Sequence, residues 1–151
     1  MNKTILFLKV TDNKNSNNTA EIKFDKHKDK QKTNRQERSD WGINMNLKVI
    51  KKYIPTKVIF TIGRTSKNYT GERIYYIADI IGLTDSKSLC RYIPQDFQRN
   101  NHNLFLNLKC LRKINPNNQQ YKIDDYFIIS NGKRLTESLG NRVAYSYVAK
   151  K

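Results

Sequence analysis

Trp41 is the residue whose type and setting most clearly suggest a binding role. It is the only tryptophan among 151 residues, Gly42 follows it, and a strongly basic stretch precedes it. A single-stranded or flipped base can stack on an aromatic face, which is worth about 1–3 kcal/mol per base. Gly42 would let a flat ring approach the backbone closely. Large aromatic residues are also common in cores, so the sequence leaves two interpretations of Trp41 open, a base platform and a core residue.

Basic and aromatic residues are interleaved along much of the chain, a pattern typical of surfaces that bind single-stranded nucleic acid. Arginine suits bidentate contact with phosphate, and lysine acts as a point charge. Any one of these cations could equally be a plain solvated charge. The candidate phosphate-binding residues are Lys26, Lys28, Arg64, Lys67, Arg73, Arg91 and Arg99, and the accompanying aromatic residues are Tyr69, Tyr75 and Tyr76.

Patterns that would indicate catalysis are sparse. The two histidines, His27 and His102, both stand in polar stretches, and no Ser/His/Asp arrangement or phosphate-binding glycine loop is present. One nuclease-like pattern exists: Asp12 followed by Glu21-Ile-Lys23 has the spacing of the two magnesium-binding acids and the lysine of PD-(D/E)xK nucleases. The helix that those folds place before the first acid is not predicted here. We therefore predict a non-catalytic protein without a cofactor, and a small Mg²⁺-dependent nuclease is the alternative.

The net charge is +16, from 29 Lys and Arg against 13 Asp and Glu. Such a chain repels itself unless it works against a polyanion, and phosphate backbones are the commonest polyanion in cells. The alternative explanation is an AT-rich genome that accumulates lysine codons. No apolar stretch approaches the ~20 residues that cross a bilayer, and Cys90 and Cys110 lack the spacing of a zinc site or a disulfide framework. We expect a cytoplasmic protein that binds nucleic acid and no membrane.

The elements that must position these residues follow from apolar patterning. Alternating or continuous apolar runs predict strands at 5–10, 57–63, 73–82, 104–111 and 143–149, a short strand at 21–24, and a strand or helix start at 126–130. Ile43, Leu47 and Ile50 predict a helix that ends before Pro55, and shorter helical pieces are predicted at 85–92 and 133–139. The polar stretch 25–38 is predicted to be a mobile basic insertion, either a solvated loop or a phosphate-binding arm. This order predicts one α+β domain over residues 1–151.

Several motifs occur in an order that is familiar from one superfamily. The first strand ends in Phe7-Leu-Lys-Val10, the Trp motif Asp40-Trp-Gly-Ile-Asn44 follows a polar loop, and the strand at 57–63 leads to Ser66 and then to a Gly-containing turn. This layout, from Phe7 to Ile80, resembles the PUA-like superfamily and particularly its YTH and EVE branches. The resemblance covers about half of the chain. It implies a small twisted β-barrel flanked by short helices, with a pocket that holds one nucleobase, often a methylated one.

The resemblance also implies a set of pocket residues. Trp41, Asn44 and Ser66 match positions that line the base pocket in the family, and an amide such as that of Asn44 can present a donor and an acceptor to a base edge. Tyr92 falls in about the region of a second aromatic wall. Asn44 could also be an ordinary cap or surface residue, and Tyr92 could anchor the helical turn at 85–92.

These observations predict a module that holds a single, methylated or unmodified base of DNA or RNA and that works with partner proteins of a defence or RNA-handling system. The nuclease and a basic RNA-coating protein are the alternative functions.

Overall fold

The computed structural model describes residues 4–13, 17–138 and 144–150. Seven strands and three helices follow in chain order: β1 Ile5–Val10, α1 Ala20–Lys32, β2 Ser39–Ile43, α2 Leu47–Tyr53, β3 Lys57–Ile62, β4 Tyr76–Thr84, β5 Leu104–Lys113, β6 Tyr126–Ile128, α3 Leu135–Ser138 and β7 Tyr145–Lys150. Short 3₁₀ turns lie at Lys87–Leu89, Gln95–Phe97 and Ile123–Asp125. Among these described helices, none is long and apolar enough to cross a bilayer.

The strands form one mixed sheet in the order β2-β5-β4-β3-β1-β7-β6. β1 and β3 are parallel, and every other neighbouring pair is antiparallel. Because successive side chains of a strand point to opposite faces, β1, β3, β4 and β7 each contribute to two cores. Leu6, Leu8 and Val10 of β1 pack in the larger core, and Phe7 packs in the smaller one on the other face.

The α+β class is confirmed, but the sheet is not closed into the small twisted β-barrel that the resemblance implies. β2 and β6 are the two edge strands of the sheet, and they do not pair with each other, so the sheet is open. The strands predicted at 5–10, 57–63, 73–82 and 104–111 correspond to β1, β3, β4 and β5, and β3 pairs with β4 as the predicted hairpin. The segment 126–130 contains a strand, β6, and the terminal strand is β7. Gly140, the expected end of the helix predicted at 133–139, lies outside the described residues.

The predicted strand at 21–24 and the mobile basic insertion at 25–38 are both wrong, because most of this stretch is the helix α1. Thr19 caps it, since its hydroxyl accepts a hydrogen bond from the backbone N–H of Ile22. The buried residues lie on one narrow stripe, Ala20, Phe24, His27 and Gln31. Half of that stripe is polar, so the apolar periodicity that normally identifies a helix is weak here.

Gln31 is buried, and both polar atoms of its side-chain amide are hydrogen-bonded. Its Nε2 donates to the Ser39 hydroxyl at 3.0 Å and to the Leu108 carbonyl at 3.4 Å. Its Oε1 accepts from the backbone N–H of Leu111 at 3.1 Å. Buried polar groups are stable when they are hydrogen-bonded in this way, so these bonds fix the last turn of α1 on β2 and β5.

The Trp motif lies in a strand rather than at the start of a helix. Trp41 is the central residue of β2, and the helix predicted from Ile43 begins only at Leu47. Asn46 determines that start, because its side-chain oxygen accepts hydrogen bonds from the backbone N–H groups of Lys48 and Val49. The apolar spacing therefore predicts the helix α2 correctly but places its first residue too far toward the N-terminus.

Candidate functional site

A cavity of about 370 Å³ lies between the end of β1, the helix α1, the strand β2 and the connection 85–103 that joins β4 to β5. β1 and β2 are separated in the sheet by three strands, so curvature of the sheet brings them to the same cavity. Five of the lining residues are exposed, and four of these, Thr11, Asn13, Asn44 and Asn100, are polar, so the cavity opens to solvent along this polar rim. Its volume falls in the range of small-molecule sites, roughly 300–1,000 Å³.

Trp41 is both a core residue and part of the cavity wall. Its side chain is 8% exposed, and its ring centroid lies 5.5 Å from that of Phe24 and 5.0 Å from that of Phe60. His27 stacks on the indole at 4.2 Å between centroids and 27° between planes. The ring that covers the indole is therefore an imidazole of the protein itself, and a ligand would meet Trp41 only where it lines the cavity.

His27 was not identified as a site residue from the sequence, yet it lies at the cavity. It is 3% exposed and stacks on both Trp41 and Phe97, the latter 5.7 Å away between centroids. Its Nδ1 is buried and has no hydrogen-bond partner among the described residues. Burial lowers the pKa of His27 to about 3, so the imidazole is neutral at physiological pH.

His102 is the second histidine of the cavity, and it occupies the space beside Gly42. A Cβ atom on Gly42 would lie 2.3 Å from Cδ2 and 2.8 Å from Cγ of His102, and 3.0 Å from Cε1 of Phe105. The close approach predicted for a flat ring at Gly42 is made here by the imidazole of His102. Burial, followed by the charge of Lys87, lowers the pKa of His102, and its Nδ1 also lacks a partner within the described part of the chain.

Gly42→Ala is expected to displace His102 from the cavity wall and to lower the free energy of unfolding by about 1–3 kcal/mol, because the added methyl overpacks the site. Chemical denaturation measures the cost, and the NMR signals of the His102 ring report the displacement. In a His102→Ala background the same substitution should cost clearly less, since most of the clash is gone. An equal cost in both backgrounds would show that His102 does not pack on Gly42.

Asp40 holds the connection 85–103 on β2. It is completely buried, and its carboxylate accepts hydrogen bonds from Arg38 Nε at 2.9 Å, Asn107 Nδ2 at 2.9 Å and the backbone N–H of Tyr92 at 3.1 Å. The Asp40 N–H donates in return to the Tyr92 carbonyl at 3.0 Å. The Arg38 guanidinium lies 5.1 Å from the centroid of the Tyr92 ring. The contacts of Tyr92 are thus those of an anchor for this connection.

The four base-binding residues predicted from the sequence are only partly brought together. Trp41 and Asn44 line the cavity, and the Asn44 Oδ1 accepts the backbone N–H of Asn103 at 3.2 Å. Ser66 and Tyr92 are not among the lining residues. Ser66 is buried, and its hydroxyl accepts the backbone N–H of Asp12 at 3.1 Å, so it connects the β3–β4 turn to the end of β1.

Among the predicted phosphate-binding residues at the β3–β4 turn, Arg64 and Arg73 contact other side chains. Arg64 forms an ion pair with Glu72. The Arg73 guanidinium lies 3.8 Å from the centroid of the Tyr75 ring. Lys67 is exposed. None of these cations lines the cavity, so this group is separate from the candidate base site.

A second group of predicted cations lies beside the cavity. Arg91 and Arg99 are exposed on the connection 85–103; Arg99 directly precedes the lining residue Asn100, and Arg91 lies two positions before the lining residue Ile93. Lys26 of α1 forms an ion pair with Asp96 on the same connection. Lys28 lies half-buried on α1 and outside the lining. Arg91 and Arg99 are therefore the exposed cations of this group, whereas Lys26 and Lys28 are half-buried.

The residues of the alternative nuclease pattern have structural partners. The two oxygens of the Asp12 carboxylate accept backbone N–H groups, from Ala20 at 2.8 Å and from Lys67 at 2.9 Å, and the bond from Lys67 is the main cause of a lowered pKa of Asp12. Lys23 lines the cavity, and its Nζ donates to the Thr11 carbonyl at 2.6 Å. Burial lowers the pKa of Lys23, while the charge of Asp12 opposes that shift.

Glu21, the second acid of that pattern, accepts hydrogen bonds from the Tyr76 hydroxyl and from Lys113 Nζ, the latter at 3.2 Å. Burial, and then the bond to Glu21, raises the pKa of Tyr76. Within residues 4–13, 17–138 and 144–150, no group of three or more His, Cys, Asp or Glu side chains is arranged to hold a metal ion. The geometry thus gives these acids a role in joining α1 to the sheet.

The site therefore combines two residues that the sequence pointed to, Trp41 and Asn44, with two neutral imidazoles and a lysine from α1. Comparison with protein-family models, with curated proteins and with solved structures found no match to this chain.

Proposed function

We propose that this protein is a nucleic-acid-binding module that takes a single base, methylated or unmodified, into the cavity beside Trp41. The observation that carries the proposal is the cavity itself: about 370 Å³, open to solvent at a polar rim, and walled by Trp41, Phe97 and two neutral imidazoles. Flat heteroaromatic ligands suit a pocket of flat rings with a few polar groups that fix their orientation.

The polar rim supplies groups that can orient a base. The side-chain amides of Asn44 and Asn100 each carry both a donor and an acceptor, which matches the mixed donor and acceptor pattern of base edges. Both residues are exposed, and the hydrogen bond from the Asn103 backbone N–H to Asn44 Oδ1 orients the Asn44 amide.

The positive charges around the cavity favour a ligand that is part of a negatively charged nucleic-acid strand. Lys9 and Lys23 line the cavity, and Arg91 and Arg99 lie on the connection that forms one wall. With a net charge of +16, the whole protein attracts a polyanion, and binding should weaken steeply as salt displaces condensed counterions. We infer that phosphates on either side of the bound base contact these cations.

The test is a short oligonucleotide of abasic residues that carries one central base. Relative to the fully abasic oligonucleotide, the base is expected to raise affinity by about tenfold, in line with the ~1–3 kcal/mol of a stacked base. Fluorescence anisotropy with RNA and DNA backbones, each at two salt concentrations, measures the effect. Equal affinity with and without the base would leave only general polyanion binding, as expected of an RNA-coating protein.

Two neighbouring substitutions locate the base. Asn100→Trp places an indole at the cavity rim and should abolish the gain from the central base. Asn101→Trp, the matched control, adds the same ring to an exposed residue outside the lining and should preserve the gain. If both variants keep the full gain, the base binds elsewhere. Cleavage of the oligonucleotide that stops on addition of EDTA would instead favour the nuclease.

A further inference from the structure

Two of the three charged residues that line the cavity are positive. Among the described residues the three are Lys9, Lys23 and Asp40. Lys23 reaches the cavity from α1 with its ammonium 2.6 Å from the Thr11 carbonyl, and Thr11 is itself a rim residue. A ligand in the cavity therefore lies beside a fixed positive charge.

The carboxylate of Asp40 does not offset that charge for a ligand. It is fully buried, and Arg38, Asn107 and the Tyr92 backbone already donate to both of its oxygens. Because one of these donors is the Arg38 guanidinium, the charge of Asp40 is already balanced by an ion pair. Asp12, the other carboxylate near Lys23, keeps its charge, but both of its oxygens accept backbone N–H groups and it is not part of the lining, so it offers a cationic ligand no direct contact.

The aromatic rings of the cavity are also poorly arranged for a cation. Cation-binding cages present open ring faces to the charge, but here His27 stacks on Trp41. The Lys26 ammonium already lies 5.9 Å from the centroid of Phe97. The two histidines are neutral and add no negative charge. A second cation in this space would meet repulsion without a compensating partner.

We infer that the cavity accepts an electrically neutral base and excludes a positively charged one, and that Lys23 is the residue that imposes this exclusion. This inference rests on the proposed function and narrows its ligand class. A base methylated on an exocyclic amine stays neutral and would be accepted. A base that carries a positive charge because a ring nitrogen is methylated would be rejected, which is specificity through an unfavourable charge rather than through an added contact.

Two isomers of methylated adenine test the inference in the same abasic oligonucleotide. N6-methyladenine is neutral, whereas N1-methyladenine is positively charged, and the two have the same number of carbon and nitrogen atoms. Fluorescence anisotropy should show about tenfold weaker binding of N1-methyladenine, with a smaller difference at high salt because charge repulsion is screened. Guanine and N1-methylguanine, both neutral, control for the bulk of a methyl group at that ring position and should differ by less than about threefold.

Lys23→Met should reduce the difference between the two adenine isomers to about threefold or less, because it removes the charge and keeps most of the side-chain volume. Lys32→Met is the matched control, since Lys32 is exposed on the same helix and lies outside the cavity lining, and the tenfold difference should remain. Thermal unfolding followed by circular dichroism establishes that both variants are folded.

Equal or tighter binding of N1-methyladenine by the unchanged protein would overturn the inference, and so would a comparable loss for N1-methylguanine, which would indicate steric rejection. An unchanged isomer ratio in folded Lys23→Met would overturn the assignment to Lys23. If no base improves on the fully abasic oligonucleotide, the proposed function itself fails, a result distinct from loss of charge selectivity.

Discussion

Trp41→Ala is expected to lower the free energy of unfolding by about 3–5 kcal/mol, the usual cost of truncating a large buried aromatic residue. The indole is 8% exposed and contacts Phe24, Phe60 and His27, so its removal leaves a space that three fixed rings cannot fill without moving. Urea or guanidinium denaturation of the purified variant measures the change in midpoint and in unfolding free energy.

Two further variants serve as comparisons for the cost of Trp41→Ala. Trp41→Phe keeps an aromatic ring in the same place and should cost clearly less than alanine. Leu89→Ala removes a large apolar side chain that is 69% exposed, so its effect should stay within about 0.5 kcal/mol. A cost below about 1 kcal/mol for Trp41→Ala would contradict the placement of this ring in the core.

The expected instability also decides which experiment can locate a base pocket. Loss of nucleic-acid binding in Trp41→Ala would not separate a missing stacking surface from a disturbed fold. Asn100→Trp avoids this ambiguity because Asn100 is an exposed residue of the cavity rim. The two interpretations of Trp41 that the sequence left open are therefore compatible, but only substitutions at the rim distinguish the binding role.

The central strands were predictable because their sequences carry strong signals. β3 is dense in β-branched residues and β5 is rich in leucine, and the sheet buries most of both. The helix α1 was not predictable in the same way, since His27 and Gln31 occupy half of its buried stripe. The signals that favoured it were the Thr19 cap and the acidic first turn at Glu21. The low apolar content of the segment points instead to a loop.

The candidate site could be predicted only in part because its walls come from distant segments. Trp41 and Asn44 are close in sequence and belong to one strand and its continuation. His27 comes from a helix, and His102 comes from the connection 85–103, which folds over β2 through the bonds between Asp40 and Tyr92. Apolar periodicity says which face of an element is buried, but it does not say which loop covers an edge strand.

The free energy of unfolding is expected to fall by on the order of 3–5 kcal/mol as the pH decreases from about 6.5 to about 3, because His27 is buried in its neutral form. Burial lowers its pKa in the folded protein from 6.5 to about 3. Between these two values the unfolded chain binds a proton and the folded chain does not. The stabilisation is therefore complete above about pH 6.5 and is lost progressively toward pH 3. Denaturant titrations at a series of pH values measure the slope.

His27→Phe should flatten this dependence, because a ring that stacks between Trp41 and Phe97 remains but no proton is taken up on unfolding. His102 contributes in the same direction through its own lowered pKa, so His102→Phe should remove a smaller part of the slope. The lowered pKa of Asp12 acts at lower pH, where protonation below its ordinary value of 3.8 removes the stabilisation from its backbone N–H partners. Repulsion within so basic a chain also grows in acid, but it affects every variant alike. The difference between the unchanged protein and His27→Phe is therefore the informative quantity, and parallel slopes would mean that His27 is not held neutral in the fold.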